Sequence, residues 1–346
     1  MDATEIRPGA RNALCDVPGL VVGQAEDADR PTGVTVILAE SAETRLTAAA
    51  DSRGGGPGTR ELDALRPEST VQEVHGLVLS GGSAFGLDAA GGVMDWLRQQ
   101  GRGVEVGPAR VPIVPAAILY DLALAERAGL PPMGWKDPPW WRLGRAAAQK
   151  AGRDIALGNA GAGMGAQAGT LKGGLGTASF TWRGITVAAL VAANPLGSVT
   201  LPGMAHFWAW PWEQEAEFGG LPPPDRRPER LSYDLTRPPG SATSLAVIAT
   251  DAALTRPQAK RLAIMGHDGL ARAIRPIHSP LDGDTIFALS TGARPLSDPI
   301  GDLAILGMLA ADCVARATAR GVHAAAALAD LPAWRDIARR RGFSEV

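Results

Sequence analysis

The sequence predicts a mixed α/β fold. Short runs rich in Val, Ile and Leu, typical of buried strands, alternate along the chain with longer amphipathic stretches that are typical of helices. The chain has 346 residues, of which 45% are hydrophobic, so it is long enough and apolar enough to bury a large core. Its 43 Gly and 27 Pro residues predict many tight turns between these segments.

The strand candidates share a β-branched, apolar character, and the helix candidates share an apolar stripe. Strands are predicted at residues 20–23, 33–38, 76–80, 184–193, 245–250 and 286–290. Helices are predicted at residues 84–99, 143–151, 255–274, 298–320 and 323–329. Asp298 is the expected N-cap of the helix at residues 298–320, with Pro299 in its first turn. Residues 111–124 are interpreted as a strand interrupted by proline and followed by a turn.

Charge and cysteine content exclude several classes of function. The formal net charge is -2, which gives no electrostatic reason to expect a nucleic-acid partner or an anionic membrane. Cys15 and Cys313 are the only cysteines, so the sequence offers no disulfide framework and no cysteine metal cluster. The first seven residues lack an apolar signal core, and the most apolar helical stretch contains Asp302 and Asp312. A cytoplasmic location is therefore expected.

The turn Gly81-Gly82-Ser83 follows the strand predicted at residues 76–80 and precedes a helix. Such a turn can bind an anion at the helix N-terminus. It can also carry a nucleophilic serine, although the G-x-S-x-G pattern of that motif is not matched here. A third interpretation is that the glycines allow the helix to pack closely on the sheet, with Ser83 as its N-cap. The residues alone favour this third interpretation.

A second glycine-rich stretch surrounds Lys172. It does not match the Walker phosphate-binding pattern, because Lys172 is followed by Gly173 and not by Ser or Thr. Asn194 comes directly after the next predicted strand, where a side-chain amide could donate to an oxyanion or cap a turn. The residues favour neither role. Tyr120, one of two tyrosines, is by itself more typical of a packing residue.

A proline-rich, charged segment at residues 221–240 is the clearest boundary in the chain. We interpret it as a processing linker and not as a hinge between two domains. The strand predicted at residues 245–250 is too apolar to begin an independent domain, so it must pair with strands from the first part of the chain. A single domain over residues 1–346 is therefore expected.

Thr243 lies where this linker becomes a strand, and we predict that it becomes a new N-terminus. The chain would cut itself between Ala242 and Thr243: the threonine hydroxyl attacks the preceding carbonyl, and water then resolves the ester. The freed α-amine, with a reference pKa of about 7.7–8.0, would serve as the base for that hydroxyl. This stretch alone favours a threonine that merely begins a strand. The rest of the chain reverses that preference.

Two acidic residues precede the strand predicted at residues 286–290. Positions two apart on an extended chain face the same side, so Asp282 and Asp284 are expected to project together. The alternative is a simple turn, for which Asp-Gly is ordinary chemistry.

Tryptophans are concentrated at residues 131–141 and 206–212. Large exposed aromatic surface usually marks an interface or a pocket. A homo-oligomer is therefore expected, in which at least one of these segments contacts a neighbouring subunit or lines the substrate pocket.

Several stretches together resemble one family, the self-processing L-aminopeptidase/D-esterase peptidases. This family includes β-peptidyl aminopeptidases and the endo-type 6-aminohexanoate (nylon) oligomer hydrolases. Each stretch is weak alone, but they occur in order over nearly the whole chain. They are residues 11–14, 16–20, 22–23, 79–87, 172–178, 211–213, 243–252 and 282–285.

The resemblance implies an αββα sandwich of the N-terminal-nucleophile-hydrolase type. It implies cleavage into an α chain (residues 1–242) and a β chain (residues 243–346), which stay together in a tetramer of αβ units. Ala242 departs from the family pattern, in which Asn or Gly is expected before the cut.

The resemblance also implies a set of site residues. The catalytic residues would be Thr243, Lys172, Asn194, Asp282 and Asp284, and Tyr120 would bind substrate. Asn194 would donate to the oxyanion. Asp282 and Asp284 would hold the α-ammonium, while Lys172 would balance their charge and favour the neutral amine. No metal or cofactor is implied.

An Asp-x-Asp pair combined with a threonine nucleophile is most similar to the nylon-oligomer hydrolases. The implied activity is hydrolysis of small or oligomeric aliphatic amides, such as 6-aminohexanoate oligomers, through an acyl-enzyme. Three alternatives stay open. They are an L-aminopeptidase, D-amidase or β-peptidyl aminopeptidase; an acyltransferase of the ornithine acetyltransferase type; and a non-catalytic protein that binds an anion at the Gly81-Gly82-Ser83 turn.

Overall fold

The computed structural model describes residues 5–27, 29–130, 135–228 and 241–343. Two β-sheets lie face to face, and helices cover the outer face of each sheet. The strands are β1 Ile6–Pro8, β2 Leu20–Asp27, β3 Thr32–Ala39, β4 Thr47–Ser52, β5 Gly58–Arg60, β6 Gly76–Ser80, β7 Val104–Val106, β8 Ala109–Val111, β9 Ala116–Ile118, β10 Gln167–Ala168, β11 Leu171–Lys172, β12 Gly174–Trp182, β13 Ile185–Asn194, β14 Thr243–Ala252 and β15 Thr285–Arg294. The helices are α1 Ala89–Gln99, α2 Leu122–Arg127, α3 Trp140–Gln149, α4 Arg256–Ala273, α5 Gly301–Ala324 and α6 Trp334–Arg340.

The first sheet has six strands in the order β1-β12-β13-β14-β15-β4. β14 is antiparallel to β13 and parallel to β15, so it lies near the centre of the sheet. In this register Asn194, the last residue of β13, is opposite Thr243, the first residue of β14. The second sheet has five strands in the order β2-β3-β6-β9-β5.

Three apolar layers hold the molecule together. Helices α4 and α5 pack on the first sheet, α1 and α3 pack on the second, and the third layer fills the space between the sheets. Successive side chains of a strand point to opposite faces. Accordingly, Val247 and Ala249 of β14 lie between the sheets, whereas Ala246 and Ile248 face the helices. Both faces of β14 are covered, which explains its unbroken apolar run.

The first sheet joins the two parts of the chain that the proposed cut would separate. β12 and β13 precede Thr243, while β14 and β15 contain and follow it. The prediction that the strand at residues 245–250 pairs with earlier strands is therefore confirmed. Residues 229–240 of the proposed linker and residues 131–134 of the first tryptophan-rich segment lie outside the described residues.

The predictions for the last helices are wrong in their boundaries. A single helix, α5, replaces the helices expected at residues 298–320 and 323–329. Its N-cap is Ile300, because Asp298 instead forms a turn in which its carboxylate accepts the backbone N–H of Ile300 at 3.1 Å. Gly321 does not interrupt the helix. The helix backbone packs there directly against β12, where a Cβ would lie 2.8 Å from the nitrogen of Gly176.

The expected N-cap role of Ser83 is also wrong. A short 3-10 helix over Ser83–Asp88 precedes α1, and it is Gly82 that occupies the cap position. Gly82 has a φ of +86°, a left-handed conformation that glycine adopts at little cost. The segment at residues 111–124 contains β9 and the start of α2. Within the described residues, none of the helices combines the length and apolarity needed to cross a membrane.

Candidate active site

Thr243 is the first residue of β14 and is almost completely buried, with 3% of its surface exposed. Its hydroxyl donates a hydrogen bond to the carbonyl oxygen of Ala242, at an Oγ1–O distance of 2.5 Å. The backbone N–H of Gly283 donates to the same carbonyl oxygen at 3.0 Å. The peptide bond before Thr243 is therefore contacted by a hydroxyl and by a backbone donor.

Gly283 can hold this position only because it lacks a side chain. A Cβ there would lie 2.6 Å from the hydroxyl oxygen of Thr243 and 2.7 Å from the carbonyl oxygen of Gly56. Both distances are shorter than any van der Waals contact. The Asp-Gly-Asp motif thus brings a backbone N–H to the Ala242 carbonyl at a place where a larger residue would displace the hydroxyl.

The side chains of Asp282 and Asp284 are both fully buried around this point. Asp284 accepts the backbone N–H of Ser244 at 2.7 Å, one residue beyond Thr243. Asp282 accepts the backbone N–H of Leu196 at 3.1 Å and that of Ser279 at 3.1 Å. Burial raises the pKa of the Asp282 carboxyl, and the charge of Asp284 raises it further. The expectation that the two carboxyl groups lie close together is therefore supported by the structure.

Asn194 connects the end of β13 to β10 and to the segment that follows β9. Its side-chain oxygen accepts the backbone N–H of Gln167 at 2.9 Å, and its amide nitrogen donates to the backbone carbonyl of Tyr120 at 3.1 Å. Because it is opposite Thr243 across the strand ladder, Asn194 lies at the same end of the sheet as the hydroxyl. Tyr120 meets Asn194 through its backbone, and its side chain is half-buried.

Lys172 is fully buried, and its ammonium donates to the carbonyl oxygens of Gly163 at 2.9 Å and Gly173 at 2.8 Å. Burial lowers the pKa of Lys172 to about 7, and the charge of Asp121 partly opposes that shift. The resemblance implies that Lys172 balances Asp282 and Asp284, but in the structure its charged partner is Asp121. Lys172 is the last residue of β11, and Asp121 lies between β9 and α2.

Asp121 also decides between the interpretations of the Gly81-Gly82-Ser83 turn. Its carboxylate accepts the backbone N–H of Gly82 at 2.7 Å. A Cβ on Gly81 would lie 1.9 Å from the other carboxylate oxygen. The turn therefore binds an anionic side chain of the protein itself, which weighs against the anion-binding protein. Burial raises the pKa of Asp121 to about 6, although hydrogen bonds from Thr32 and Gly82 lower it.

Two groups of residues near the site are missed by the sequence analysis. Gly54 and Gly56 belong to a stretch that encloses the Asp-Gly-Asp turn: the N–H of Gly56 donates to the carbonyl of Asp282 at 2.8 Å, and that of Gly54 donates to the carbonyl of Asp284 at 3.4 Å. His278 contacts the Asp284 carboxylate through its ring at 2.9 Å. A histidine six residues before the second aspartate was the available signal.

A cavity of about 510 Å³ adjoins the site through Leu196, whose backbone N–H binds Asp282. Its wall combines apolar side chains with hydroxyl groups and one arginine. The lining includes Leu171, Leu196, Leu201, Met204, Trp334 and Arg341. Within the described residues, no group of three or more His, Cys, Asp or Glu side chains could hold a metal ion.

Known proteins share both the sequence pattern and the fold. Residues 12–332 match peptidase family S58. An uncharacterised aminopeptidase of Mycobacterium tuberculosis is 42% identical over 350 residues, which cover 94% of this chain and 98% of the relative. A 6-aminohexanoate-oligomer endohydrolase of Kocuria sp. is 28% identical over 312 residues, covering 84% of this chain and 78% of the relative.

Two solved structures share the fold at low identity. The beta-aminopeptidase of a Burkholderia species aligns with a TM-score of 0.68 and 22% identity over 97% of this chain and 96% of that chain. The L-aminopeptidase D-Ala-esterase/amidase of Ochrobactrum anthropi aligns with a TM-score of 0.70 and 21% identity over 97% of this chain and 96% of that chain. That structure is described as a variant of the Ntn hydrolase fold. The predicted fold class is confirmed. The chain belongs to peptidase family S58 and is a peptide or amide hydrolase.

Proposed function

We propose that this hydrolase cleaves itself between Ala242 and Thr243 and then uses Thr243 as an N-terminal nucleophile. The observation that carries the proposal is the convergence of two groups on the Ala242 carbonyl oxygen, namely the Thr243 hydroxyl at 2.5 Å and the Gly283 N–H at 3.0 Å. One is the nucleophile that self-cleavage requires. The other is a donor that can stabilise the oxyanion formed on attack.

Self-cleavage follows from this arrangement. Thr243 Oγ1 attacks the carbonyl carbon of Ala242, and the negative charge that develops on the carbonyl oxygen is met by the N–H of Gly283. The C–N bond breaks, the nitrogen takes up a proton, and an ester joins Ala242 to the threonine side chain. Water hydrolyses this ester, leaving a carboxylate on Ala242 and a free α-amine on Thr243.

Substrate hydrolysis repeats the same chemistry on another amide. The α-amine of Thr243 accepts the proton of the Thr243 hydroxyl. The hydroxyl oxygen attacks the substrate carbonyl carbon and forms an acyl-enzyme. The side-chain amide of Asn194, opposite Thr243 in the ladder, is the proposed donor to the oxyanion. The leaving amine takes a proton, and water then releases the acyl group as a carboxylic acid.

We propose flexible aliphatic amides, such as 6-aminohexanoate oligomers, as substrates. The 28% identity to a 6-aminohexanoate-oligomer endohydrolase supports this choice, as do the Asp-x-Asp motif and the apolar side chains that line part of the cavity next to Leu196. A second candidate is removal of amino-terminal residues from peptides, which is favoured by the 42% identity to proteins named as aminopeptidases. Turnover of a 6-aminohexanoate oligomer against an α-peptide amide separates the two.

We also propose a homo-oligomer, a tetramer of αβ units. Trp141 is 37% exposed and Phe85 is 44% exposed, and both belong to the region around the first tryptophan-rich segment. Such exposed aromatic side chains are typical of an interface. Light scattering of the purified protein tests the proposal, and a monomer would contradict it.

Intact-mass measurement tests the nucleophile. The wild-type protein should separate into residues 1–242 and 243–346, whereas Thr243→Ala should stay uncut and inactive. Thr243→Ser, which keeps a hydroxyl, is the matched control and should be cleaved. An uncut but active Thr243→Ala variant would mean that another residue is the nucleophile.

A further inference from the structure

A network of hydrogen-bonded side chains extends from β14. Asp284 accepts the N–H of Ser244 with Oδ1, and its Oδ2 lies 2.9 Å from Nδ1 of His278. The other ring nitrogen of His278, Nε2, lies 3.1 Å from Nδ1 of His267. The network ends at Asp51, whose backbone carbonyl oxygen lies 3.1 Å from Nε2 of His267.

The positions of the protons follow from the groups at each end. Burial lowers the pKa of His267 to about 4, so at neutral pH this ring is uncharged and carries one N–H. Its Nε2 faces two oxygens of Asp51, the carbonyl oxygen at 3.1 Å and a carboxylate oxygen at 3.3 Å. Neither oxygen can donate, so the proton of His267 is on Nε2 and its Nδ1 is an acceptor. The hydrogen between the two rings therefore belongs to His278.

The second nitrogen of His278 must also donate. It faces Oδ2 of Asp284, which already accepts the backbone N–H of His278 at 3.0 Å, while Oδ1 accepts Ser244. A carboxylate in such surroundings acts as an acceptor. An imidazole that donates with both nitrogens is the imidazolium cation.

We propose that His278 is a positioning residue that carries a positive charge beside Asp284 and thereby favours the neutral, base-competent form of the Thr243 α-amine. This inference rests on the proposed function, in which that amine is the base.

The charge is needed because two carboxylates lie close to the nucleophile. Asp282 and Asp284 without a compensating cation would stabilise the ammonium form of a nearby amine, which cannot accept a proton. Lys172 does not compensate them, since its charge interacts with Asp121. Among the described residues, His278 is the one with a cationic side chain in contact with either carboxylate.

The backbone of His278 supports this role. Its φ is +56°, a left-handed conformation that is uncommon for residues other than glycine. In that conformation both its backbone N–H and its ring reach one carboxylate oxygen of Asp284. The local strain is thus accompanied by two contacts with a single atom of the site, a pattern typical of functional positions.

Other charged groups face this pair and enter any pH dependence. His267 contacts His278 directly, and Asp282 neighbours Asp284. Beyond His267, the carboxylate of Asp51 is bound by Arg53 and Lys260. The interaction of Asp51 with these two cations leaves the Asp284 side as the place where the charge of His278 is balanced.

Nitrogen-15 NMR of histidine-labelled protein tests the charge directly, and His278→Asn assigns the signals. The Thr243→Ala variant and the processed enzyme should both show His278 with two N–H groups at neutral pH. His75 is the matched control, because it is half-buried but lies 4.0 Å from its nearest carboxylate. It is not part of the hydrogen-bond network that contains His278. A neutral His278 ring at neutral pH would overturn the proposal.

The pH profile of kcat/KM tests the effect on the amine, because its acidic limb reports the free enzyme's essential base. His278→Asn keeps a donor but removes the charge, so the acidic limb should move to higher pH by about one unit. His75→Asn should leave the limb in place. An unshifted limb in His278→Asn would overturn the proposed role.

The two proposals fail in different ways. A Thr243→Ala variant that still hydrolyses amides would overturn the proposed function, whatever the charge of His278. If Thr243→Ala is inactive while His278 is neutral, the proposed function stands and the inference about His278 is wrong.

Discussion

Two acid–base pairs, His278–Asp284 and Lys172–Asp121, lie near the ends of β13 and β14, and they differ in their surroundings. Asp284 is met by the backbone N–H groups of Ser244 and His278 as well as by the His278 ring. Lys172 is met by two carbonyl oxygens, and it interacts with Asp121 through charge alone. The first pair is held by direct hydrogen bonds, and the second is not.

The difference shows what burial does to a charge. Burial by itself moves ionisable groups toward their neutral forms, which is why the pKa of Lys172 falls to about 7 and that of Asp121 rises to about 6. Several N–H donors on one carboxylate oppose that tendency. In the proposed arrangement, the His278–Asp284 pair places a cation and a carboxylate next to Thr243, whereas the Lys172–Asp121 pair titrates near neutral pH.

Removing the carboxylate of the first pair should have the largest effect. Asp284→Asn keeps an acceptor for the Ser244 N–H but leaves the His278 charge without its partner, so turnover should fall by roughly 10³-fold. Steady-state kinetics of the processed protein measure it. Asp268→Asn, at an exposed position on α4, is the control and should keep full turnover. Wild-type turnover in Asp284→Asn would show that the charge of this pair is not used.

Removing the amide between the two pairs should have the next largest effect. Asn194→Ala deletes the proposed oxyanion donor, and kcat should fall by roughly 10²–10³-fold. Self-cleavage proceeds through an oxyanion contacted by Gly283, so it should be slowed less than turnover. Asn159→Ala, which removes an amide bound to Ala326, is the control. Unchanged kcat would mean that Asn194 only connects β13 to β10 and to the segment after β9.

The Lys172–Asp121 pair should mainly affect how the free energy of unfolding depends on pH. Between pH 7 and 10.5 the unfolded chain keeps the proton on Lys172 and the folded protein does not. Unfolding in this window therefore takes up a proton. Raising the pH makes that uptake less favourable, so the free energy of unfolding should increase with pH.

Lys172→Met should abolish that increase, a difference of about 3 kcal/mol between pH 7 and 10. Chemical denaturation at a series of pH values measures it, with the exposed Lys150→Met as the control. If Lys172→Met and wild type show the same pH slope, the lysine is charged throughout this range, and the contrast between the two pairs is wrong.

The sequence allowed much of the fold to be predicted because each central strand has a strong local signal. Residues 245–250 and 286–290 are apolar on both faces, and they lie within β14 and β15. The layering came from the resemblance, since local patterns do not specify which sheet a strand joins. Helix ends were less predictable: at Asp298 a competing turn displaced the expected cap.

The sequence allowed most of the candidate site residues to be named, but only some of the contacts between them. Thr243, Asn194, Asp282 and Asp284 lie at strand ends or turns that the strand pattern marks, and the sheet brings them together. The interaction of Lys172 with Asp121 was not predicted, because it depends on how β11 packs against the segment between β9 and α2. His278 was missed for the same reason, since its meaning depends on His267 from α4 and on Asp51 from β4.

The central claim is that the hydroxyl of Thr243 attacks the carbonyl of Ala242, which it contacts in the intact chain. Its most direct test is the intact mass of freshly purified wild-type, Thr243→Ala and Thr243→Ser proteins, followed over time. We predict that the wild-type and Thr243→Ser proteins separate into residues 1–242 and 243–346, while Thr243→Ala keeps its full mass. Cleavage of Thr243→Ala at the same bond, or a wild-type protein that hydrolyses amides at full mass, would contradict the claim.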